Sequence, residues 1–332
     1  MTPFRAFVVC KEEGRIVSGV RRMEPDALPA GELTVRVMYS SVNYKDALAV
    51  QPNGKIVKTY PIVPGIDLAG TVEASSDARF REGTAVLATG YGLGVSHPGG
   101  FSEYARIPAD WAVPIPQGLT PREAMIIGTA GFTAALSIER LRAHGVMPGQ
   151  GPVAVSGATG GVGSMAVALL AALGYEVAAG TGKRDAEPFL RRIGAAHVLS
   201  REEMAGDAGK PLQRERWAGA VDPVGGETLA ALLSAVRYGG AVAASGLTGG
   251  AQVPATVYPF ILRGVSLLGI DSVQCPHDVR MRIWSLLASE WKPPGGYEPL
   301  LGDEIPLDRL PDALGQLLRG EAKGRVLVNL NA

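Results

Sequence analysis

The amino-acid sequence predicts an α/β protein in which a doubly wound parallel sheet is inserted into a β-rich domain. From about residue 121 onward, short apolar strand-like runs alternate with helix-like runs, a pattern typical of parallel sheets with helices on both faces. Before that point the chain consists of short strand-like runs broken by turns, and such runs return after about residue 262. We therefore expect the β-rich domain to be built from both ends of the chain.

Each element is predicted from its residue pattern, in chain order. Runs of apolar and β-branched residues predict strands at 4–9, 33–39, 68–73 and 84–88. Helical spacing follows at 122–125 and 133–141, and strand-like runs then recur at 153–155, 175–179, 197–199, 218–221 and 241–244. The last part shows strands at 265–269 and 325–329 and helices at 279–287 and 308–318. We accordingly assign residues 1–124 plus 263–332 to the β-rich domain and residues 125–262 to the inserted domain.

The most informative stretch is residues 156–164, which read Ser-Gly-Ala-Thr-Gly-Gly-Val-Gly-Ser. It follows the strand-like run at 153–155 and opens a helix-like run over 165–173. Glycines let a backbone approach a pyrophosphate closely, and a helix N-terminus presents unpaired N–H groups and the positive end of its dipole. The stretch therefore predicts a dinucleotide-binding turn, and with it redox chemistry. The alternative is a tight strand-to-helix turn without a ligand.

The end of the next strand indicates which dinucleotide binds. A site for NAD would place Asp or Glu there to accept the ribose hydroxyl groups, but residues 180–184 read Gly-Thr-Gly-Lys-Arg. Two cations and a hydroxyl group suit a 2′-phosphate, which favours NADPH, and Arg201 could close over the same phosphate. The alternative is a solvated charged loop in which Asp185 pairs with Lys183 or Arg184.

The composition narrows the classes of function. Lys plus Arg and Asp plus Glu each number 32, so the formal net charge is zero and does not support binding to nucleic acid or to an anionic membrane. The two cysteines, Cys10 and Cys275, lack the spacing of a metal site or redox motif. The apolar stretch at 165–173 is far shorter than the ~20 residues of a membrane span, and the first five residues show no signal-peptide pattern. We expect a soluble, cytoplasmic protein.

Several segments together resemble one protein family. Residues 40–46 read Ser-Ser-Val-Asn-Tyr-Lys-Asp and residues 64–70 read Pro-Gly-Ile-Asp-Leu-Ala-Gly; further matching segments lie at 126–134, 158–163, 217–222 and 259–265. The chain resembles the zinc-free medium-chain dehydrogenases/reductases of the quinone oxidoreductase type, in the acrylyl-CoA reductase branch. This resemblance spans nearly the whole chain. It implies a Rossmann-type doubly wound parallel sheet inserted in a GroES-like β-rich domain, NADPH as cofactor, and a homodimer.

The resemblance also implies which residues contact the cofactor. They are Thr159, Gly160, Gly161 and Val162 at the pyrophosphate, Thr181, Lys183, Arg184 and Arg201 near the 2′-phosphate, and Leu247, Ile261 and Ser272 at the nicotinamide end. Each has another interpretation: Leu247 and Ile261 could be core residues, and Ser272 could cap a turn.

No metal is expected at the site. Zinc dehydrogenases bind catalytic zinc through Cys and His, and a structural zinc through a cysteine cluster. Here Ile66 follows Pro64-Gly65, at the position where a zinc enzyme would usually carry His, and the four histidines are scattered along the chain. His97 lies in a Gly- and Pro-rich segment and is interpreted as a loop residue.

The activity implied by the resemblance is NADPH-dependent reduction of the C=C bond of a short α,β-unsaturated acyl-CoA, with acrylyl-CoA converted to propionyl-CoA. Hydride would add to the β-carbon, negative charge would develop on the thioester oxygen, and the α-carbon would take a proton. Tyr44 is the candidate polar group at the reacting centre, as a proton donor or as a partner of the cofactor ribose or amide. Asn43 would orient Tyr44 or the substrate. Tyr44 could instead be packing at a strand end, with water as the proton source.

Two other functions remain open from the sequence. One is an NADPH:quinone or general enone reductase that shares the cofactor site, and the other is a non-enzymatic NADPH-binding protein. Lys45, Lys55 and Lys58 bear on this choice, because they could hold the phosphates of coenzyme A or could form a solvated face.

Overall fold

The computed structural model describes residues 2–331 and has the α/β architecture expected from the sequence. Its strands are β1 (Phe4–Glu12), β2 (Arg15–Met23), β3 (Leu33–Ser41), β4 (Asp67–Ser75), β5 (Ala85–Thr89), β6 (Tyr104–Ile107), β7 (Val113–Pro114), β8 (Val153–Val155), β9 (Val177–Gly180), β10 (His197–Leu199), β11 (Trp217–Asp222), β12 (Val236–Ala244), β13 (Ser266–Gly269), β14 (Leu301–Pro306) and β15 (Arg325–Asn329). Its α-helices are α1 (Tyr44–Ala49), α2 (Pro121–Ala143), α3 (Gly161–Ala172), α4 (Glu187–Arg192), α5 (Arg201–Ala205), α6 (Gly226–Ala235), α7 (Tyr258–Arg263), α8 (His277–Ala288) and α9 (Leu310–Leu318).

The chain forms two compact units. Unit 1 comprises Met1–Thr129, Val273–Ala288 and Leu301–Ala332, and unit 2 comprises Ala130–Ser272 and Ser289–Leu300. Unit 1 thus draws on both ends of the chain. The domain boundaries assigned from the sequence, 1–124 plus 263–332 and 125–262, stay a prediction.

Unit 2 is built on a six-stranded parallel sheet in the order β10-β9-β8-β11-β12-β13. All three residues of β8 are buried, as expected for a central parallel strand with both faces covered. From β8 the chain adds β9 and then β10 on one side of the sheet, and from the neighbouring β11 it adds β12 and then β13 on the other side. In open parallel sheets ligands bind outside the carboxyl ends of the strands at such a reversal, and the glycine stretch begins directly after β8.

The strand predicted at 265–269 lies in this parallel sheet. Ser266–Gly269 pairs in parallel with β12 and forms the edge of the sheet. The predicted boundary at 262 places this run with the β-rich domain. The structure instead continues the alternation of helix and strand through α7 into β13.

Unit 1 contains a seven-stranded sheet and a separate hairpin. The main path is β14-β15-β3-β4-β5-β7, β6 also pairs with β3, and β1 pairs with β2. The β2 strand was not predicted, because its residues are mostly exposed and polar. Helix α1 begins three residues after β3 ends and packs near α9, which places Asn43 and Tyr44 at the end of β3.

Helix α2 differs from the two short helical segments predicted at 122–125 and 133–141. It runs from Pro121 to Ala143 and is the one helix in residues 2–331 that is long and apolar enough to span a membrane. However, 83% of its most apolar window is buried inside the protein, which is typical of a core helix. The backbone at Gly128 is not helical, with φ 52° and ψ −163°, and interrupts the run.

Glycine is required at position 128 because of what surrounds it. A Cβ atom there would lie 2.6 Å from Oδ2 of Asp67, 2.6 Å from Oγ of Ser41 and 2.9 Å from Nη2 of Arg325. Its backbone angles are also nearly exclusive to glycine. The interruption therefore lets α2 pack closely against a buried polar cluster, which leaves no room for a side chain at position 128.

Replacing Gly128 by Ala is expected to lower the free energy of unfolding by about 3 kcal/mol or more, because overpacking adds to backbone strain. The matched control is Gly320→Ala, which also changes a glycine of unit 1 with positive φ, 71°, but meets no atom within 4 Å. That control is expected to cost about 1 kcal/mol. Urea unfolding measures both, and equal losses would contradict the role given to the cluster.

Candidate functional site

The glycine stretch of unit 2 has the geometry of a dinucleotide turn. Gly157 has φ 53°, which turns the chain sharply after β8. A Cβ atom on Gly163 would lie 2.3 Å from the carbonyl oxygen of Gly157, so glycine is needed for the first turn of α3 to pack against the turn. These are the two roles, tight turn and close helix packing, that glycines have in this kind of site.

The N-terminus of α3 is not capped by a side chain. Its N-cap is Gly160, which has no side-chain hydrogen bond to offer the first N–H groups. The backbone N–H groups of Gly161 and Val162 in this first turn are therefore suited to receive an anion, and the helix dipole favours negative charge there. Thr159 is buried beside them. The residues predicted for a pyrophosphate thus come together, and their donors fit that group.

The predicted 2′-phosphate residues gather at the carboxyl end of β9. Thr181 follows the strand directly, is buried, and accepts a hydrogen bond at Oγ1 from the backbone N–H of Lys183 at 3.0 Å. The guanidinium group of Arg201 lies against Gly182, since a Cβ atom there would be 2.6 Å from its Nε. Arg184 and Arg201 are both exposed.

One acidic residue near these cations was missed from the sequence. The pKa of Glu202 is lowered, first by hydrogen bonds from its own backbone N–H and the Ser200 hydroxyl group, and further by the charges of Arg184 and Arg201. The lowered pKa of Glu202 is therefore consistent with a positive electrostatic potential around this residue. The residues at the end of β9 did not predict Glu202, because Glu202 follows Arg201 on α5 and does not follow β9 directly.

The three residues predicted at the nicotinamide end all lie in unit 2. Leu247 and Ile261 have 63% and 69% of their surface exposed, so their interpretation as core residues was wrong. Oγ of Ser272 accepts a hydrogen bond from the hydroxyl group of Thr133, with 2.9 Å between the two oxygens. Near Leu247, the buried hydroxyl of Ser245 has no partner in residues 2–331. Such an orphaned polar atom fits a ligand with hydrogen-bonding groups.

In unit 1 the candidate residue Tyr44 directly follows the buried residue Asn43. Tyr44 is the first residue of α1 and is 42% exposed, so it is not a packing residue of the core. Asn43 is buried, and its Nδ2 donates to Oδ2 of Asp67 at 2.8 Å and to the carbonyl oxygen of Ser41 at 3.2 Å. Asn43 is thus fixed in orientation and holds the start of α1 on the sheet.

Asp67 collects donors from several segments of unit 1. Besides Asn43, it accepts hydrogen bonds from Oγ of Ser41 at 2.6 Å and from both the backbone N–H and Oγ1 of Thr129, at 2.9 and 2.5 Å. Nη2 of the buried Arg325 lies 4.0 Å from its Oδ2. A buried carboxylate needs such partners to stay in the fold. Neither Asp67 nor Arg325 was predicted as a site residue from the sequence.

Asp46 is a second buried acid, on α1. Its carboxyl group accepts hydrogen bonds from the backbone N–H groups of Asn43 at 2.8 Å, Ile66 at 3.0 Å and Gly65 at 3.2 Å. Burial, and next the charge of Asp67, raise its pKa to about 7, although the backbone N–H groups oppose this. An acid that titrates near neutral pH therefore lies two residues from Tyr44.

The donor set does not fit a catalytic zinc ion. Within the described part of the chain, no three His, Cys, Asp or Glu side chains come together in a way that could hold a metal. Ile66 supplies no ligand atom, and Cys10 and Cys275 form no disulfide and differ in burial. We therefore derive no catalytic step through zinc.

Asp46→Asn is expected to flatten the pH dependence of stability. A carboxyl pKa of about 7 in the folded state and about 3.9 in the unfolded state gives a stabilising contribution that is full below pH ~4 and is lost as pH rises through 7. Relative to the variant, the unmodified chain should lose up to about 1.4 kcal/mol per pH unit across this window. Urea unfolding between pH 5 and 8 measures it, and parallel curves for the two proteins would contradict the assignment.

Comparison with known proteins identifies the family. The family model described as alcohol dehydrogenase GroES-like domain matches residues 29–117, and the one described as zinc-binding dehydrogenase matches residues 161–289. The chain is 51% identical over 329 residues to the putative quinone oxidoreductase YhfP of Bacillus subtilis, covering 99% of each chain. It is 50% identical over 331 residues to the acrylyl-CoA reductase AcuI of Ruegeria pomeroyi, covering 99% of this chain and 100% of that one.

Solved structures agree. The B. subtilis yhfP crystal structure with NAD bound superimposes with a TM-score of 0.97 at 51% identity, covering 99% of this chain and 100% of that one. The yhdH oxidoreductase of Salmonella enterica in complex with NADP gives 0.95 at 46% identity, covering 98% and 99%. These matches confirm the GroES-like and Rossmann-type fold predicted from the sequence. The chain therefore belongs to the medium-chain dehydrogenase/reductase family.

Proposed function

We propose that this chain is an NADPH-dependent oxidoreductase that reduces the C=C bond of a short α,β-unsaturated acyl-CoA, converting acrylyl-CoA to propionyl-CoA. The observation that carries the proposal is the 50% identity, over nearly the full length of both chains, to a protein named acrylyl-CoA reductase. The uncapped glycine turn and the cations after β9 support a phosphate-rich dinucleotide at the matching position.

NADPH, when bound, supplies the hydride, and the residues of unit 2 hold it. The N–H groups at the start of α3 would bind the pyrophosphate, and Lys183, Arg184 and Arg201 would bind the 2′-phosphate with Thr181. The end of β9 offers no carboxylate for the ribose hydroxyl groups, which favours the phosphorylated cofactor. One relative has been crystallised with NAD and another with NADP.

The residues of unit 1 would act on the substrate. The exposed hydroxyl group of Tyr44 is suited to donate a hydrogen bond to the thioester oxygen as negative charge develops, or a proton to the α-carbon. Asn43, anchored on Asp67, would fix the position of Tyr44. Because the cofactor carries out the hydride chemistry, positioning would provide most of the remaining acceleration.

A second candidate function is reduction of quinones or simple enones. The relative at 51% identity is named a putative quinone oxidoreductase, and such a reaction needs the same cofactor residues. The two activities differ in what binds the substrate tail, because coenzyme A carries phosphates and a quinone does not. Lys55 and Lys58 are exposed and Lys45 is half-buried in and after α1, where they could hold those phosphates.

We further propose a homodimer in the cytoplasm. Strand β13 is an edge of the six-stranded sheet, and an unpaired edge can pair with a second copy. Leu267 on this strand is 45% exposed, and Ile261, Leu262, Val257 and Tyr258 are exposed in and beside α7. An apolar patch of this kind on a sheet edge supports association between two identical chains.

Charge reversal of both Lys183 and Arg184 to Glu is expected to remove the preference for NADPH. Two lost phosphate contacts at about 1.5–3 kcal/mol each would raise the Kd of NADPH by about a hundredfold or more, with the Kd of NADH changed much less. The control is Arg191→Glu with Arg192→Glu, which makes the same charge change on the neighbouring helix α4. An unchanged ratio of the two Kd values, measured by fluorescence titration, would refute the cofactor argument.

Charge reversal of Lys55 and Lys58 to Glu distinguishes the two substrates. With acrylyl-CoA, KM is expected to rise about tenfold at low salt and less at high salt, because exposed charges are screened. KM for a small uncharged quinone should not change. Lys11→Glu with Arg15→Glu, on the exposed hairpin of unit 1, is the matched control. Turnover of the quinone without any turnover of acrylyl-CoA would refute the acyl-CoA proposal.

A further inference from the structure

A buried carboxylate joins the turns that follow neighbouring strands of unit 2. Asp222 ends β11 and is fully buried. It accepts hydrogen bonds from the hydroxyl group of Ser156, directly after β8, and from the backbone N–H groups of Gly225 at 2.8 Å and Val224 at 3.3 Å. Its carbonyl oxygen accepts from the N–H of Ser245, directly after β12, at 2.9 Å. Asp222 thus contacts the segments after three adjacent strands.

Close backbone contacts interlock these same segments. The N–H of Gly249 donates to the carbonyl oxygen of Val224 at 2.7 Å, and Gly225 forms a parallel bridge with Gly250. On the other side, a Cβ atom on Gly157 would lie 3.0 Å from Cγ2 of Val224. The turn after β11 is therefore packed between the glycine turn and the loop that carries Leu247.

We propose that Asp222 is a positioning residue that holds the glycine turn in register with the loop after β12, so that one NADPH molecule meets both. The inference rests on the proposed function, because it takes NADPH as the ligand. Ser156 is the only contact by which Asp222 reaches the glycine turn directly among the described hydrogen bonds. Lys183 and Arg184 lie after β9 and Arg201 begins α5, and among the described hydrogen bonds none of these three cations reaches Asp222.

The burial of Asp222 fits a positioning role better than a purely stabilising one. Burial raises its pKa, and the Ser156 hydroxyl with the N–H groups of Gly225 and Val224 only partly opposes this. A buried acid is a poor source of stability compared with an apolar residue of the same size. Its carboxylate, however, joins Ser156 to the turn after β11, and its main-chain carbonyl oxygen accepts from the N–H of Ser245 after β12.

Ser156→Ala tests the inference, with Ser234→Ala as its matched control. Ser234 is a buried serine of the same unit, on α6, whose hydroxyl accepts from Nε2 of Gln213 at 3.0 Å and donates to the carbonyl oxygen of Ala231 at 2.8 Å. Both variants lose one buried hydroxyl group, but only Ser156 adjoins the glycine turn. The readouts are the Kd of NADPH, the Kd of adenosine 2′-monophosphate, and Tm.

Ser156→Ala is expected to raise the Kd of NADPH about tenfold, while the Kd of adenosine 2′-monophosphate stays unchanged, because that fragment lacks the pyrophosphate. Ser234→Ala should change neither Kd, with a similar loss in Tm. Asp222→Asn, which keeps the size of the side chain, should reproduce the pattern of Ser156→Ala. An unchanged Kd of NADPH in Ser156→Ala, or an equal loss for both ligands, would overturn the inference alone. Failure of the unmodified chain to bind NADPH would refute the proposed function as well.

Discussion

The buried carboxylate of Asp67 is the interaction on which the candidate catalytic residues of unit 1 depend. It draws donors from the end of β3, from the start of α1 through Asn43, and from Thr129 after the break in α2. A buried charge is tolerable only with such partners, so each segment is held where it can donate. Gly128 has no side chain because the cluster occupies its space. Asn43, held by this carboxylate, directly precedes the exposed Tyr44 at the start of α1.

In unit 2, the corresponding constraint concerns backbone N–H groups at the N-terminus of a helix. The first turn of α3 begins at glycines and has no side-chain cap, so its N–H groups lack protein partners of that kind. Positive side chains gather after β9, whose end carries no Asp or Glu, and the carboxylate of Glu202 lies near Arg184 and Arg201. Both features favour the binding of an anion in this unit. The buried Asp222 then keeps the surrounding turns in a fixed arrangement.

Candidate site residues that lie next to one another in the chain were predictable from the sequence. The glycine stretch and the cations at 183 and 184 are local patterns, and the fold class followed from the alternation of strands and helices. The cluster of Asp67 with Arg325 was not predictable, since its members come from distant segments that only the sheet brings together. The same applies to Asp222 and Ser156, and to β13, whose sheet is decided by pairing and not by its own residues.

In the proposed reaction, hydride passes from NADPH to the β-carbon of acrylyl-CoA without a metal. The most direct test is turnover by the chelator-treated protein with NADPH deuterated at C4 of the nicotinamide, followed by mass spectrometry of the thioester. We expect one deuterium at C3 of propionyl-CoA when the transferred position carries the label, and a proton from solvent or an exchangeable group at C2. Oxidation of NADPH with no deuterium in the thioester, or loss of turnover on chelation, would rule out this reaction.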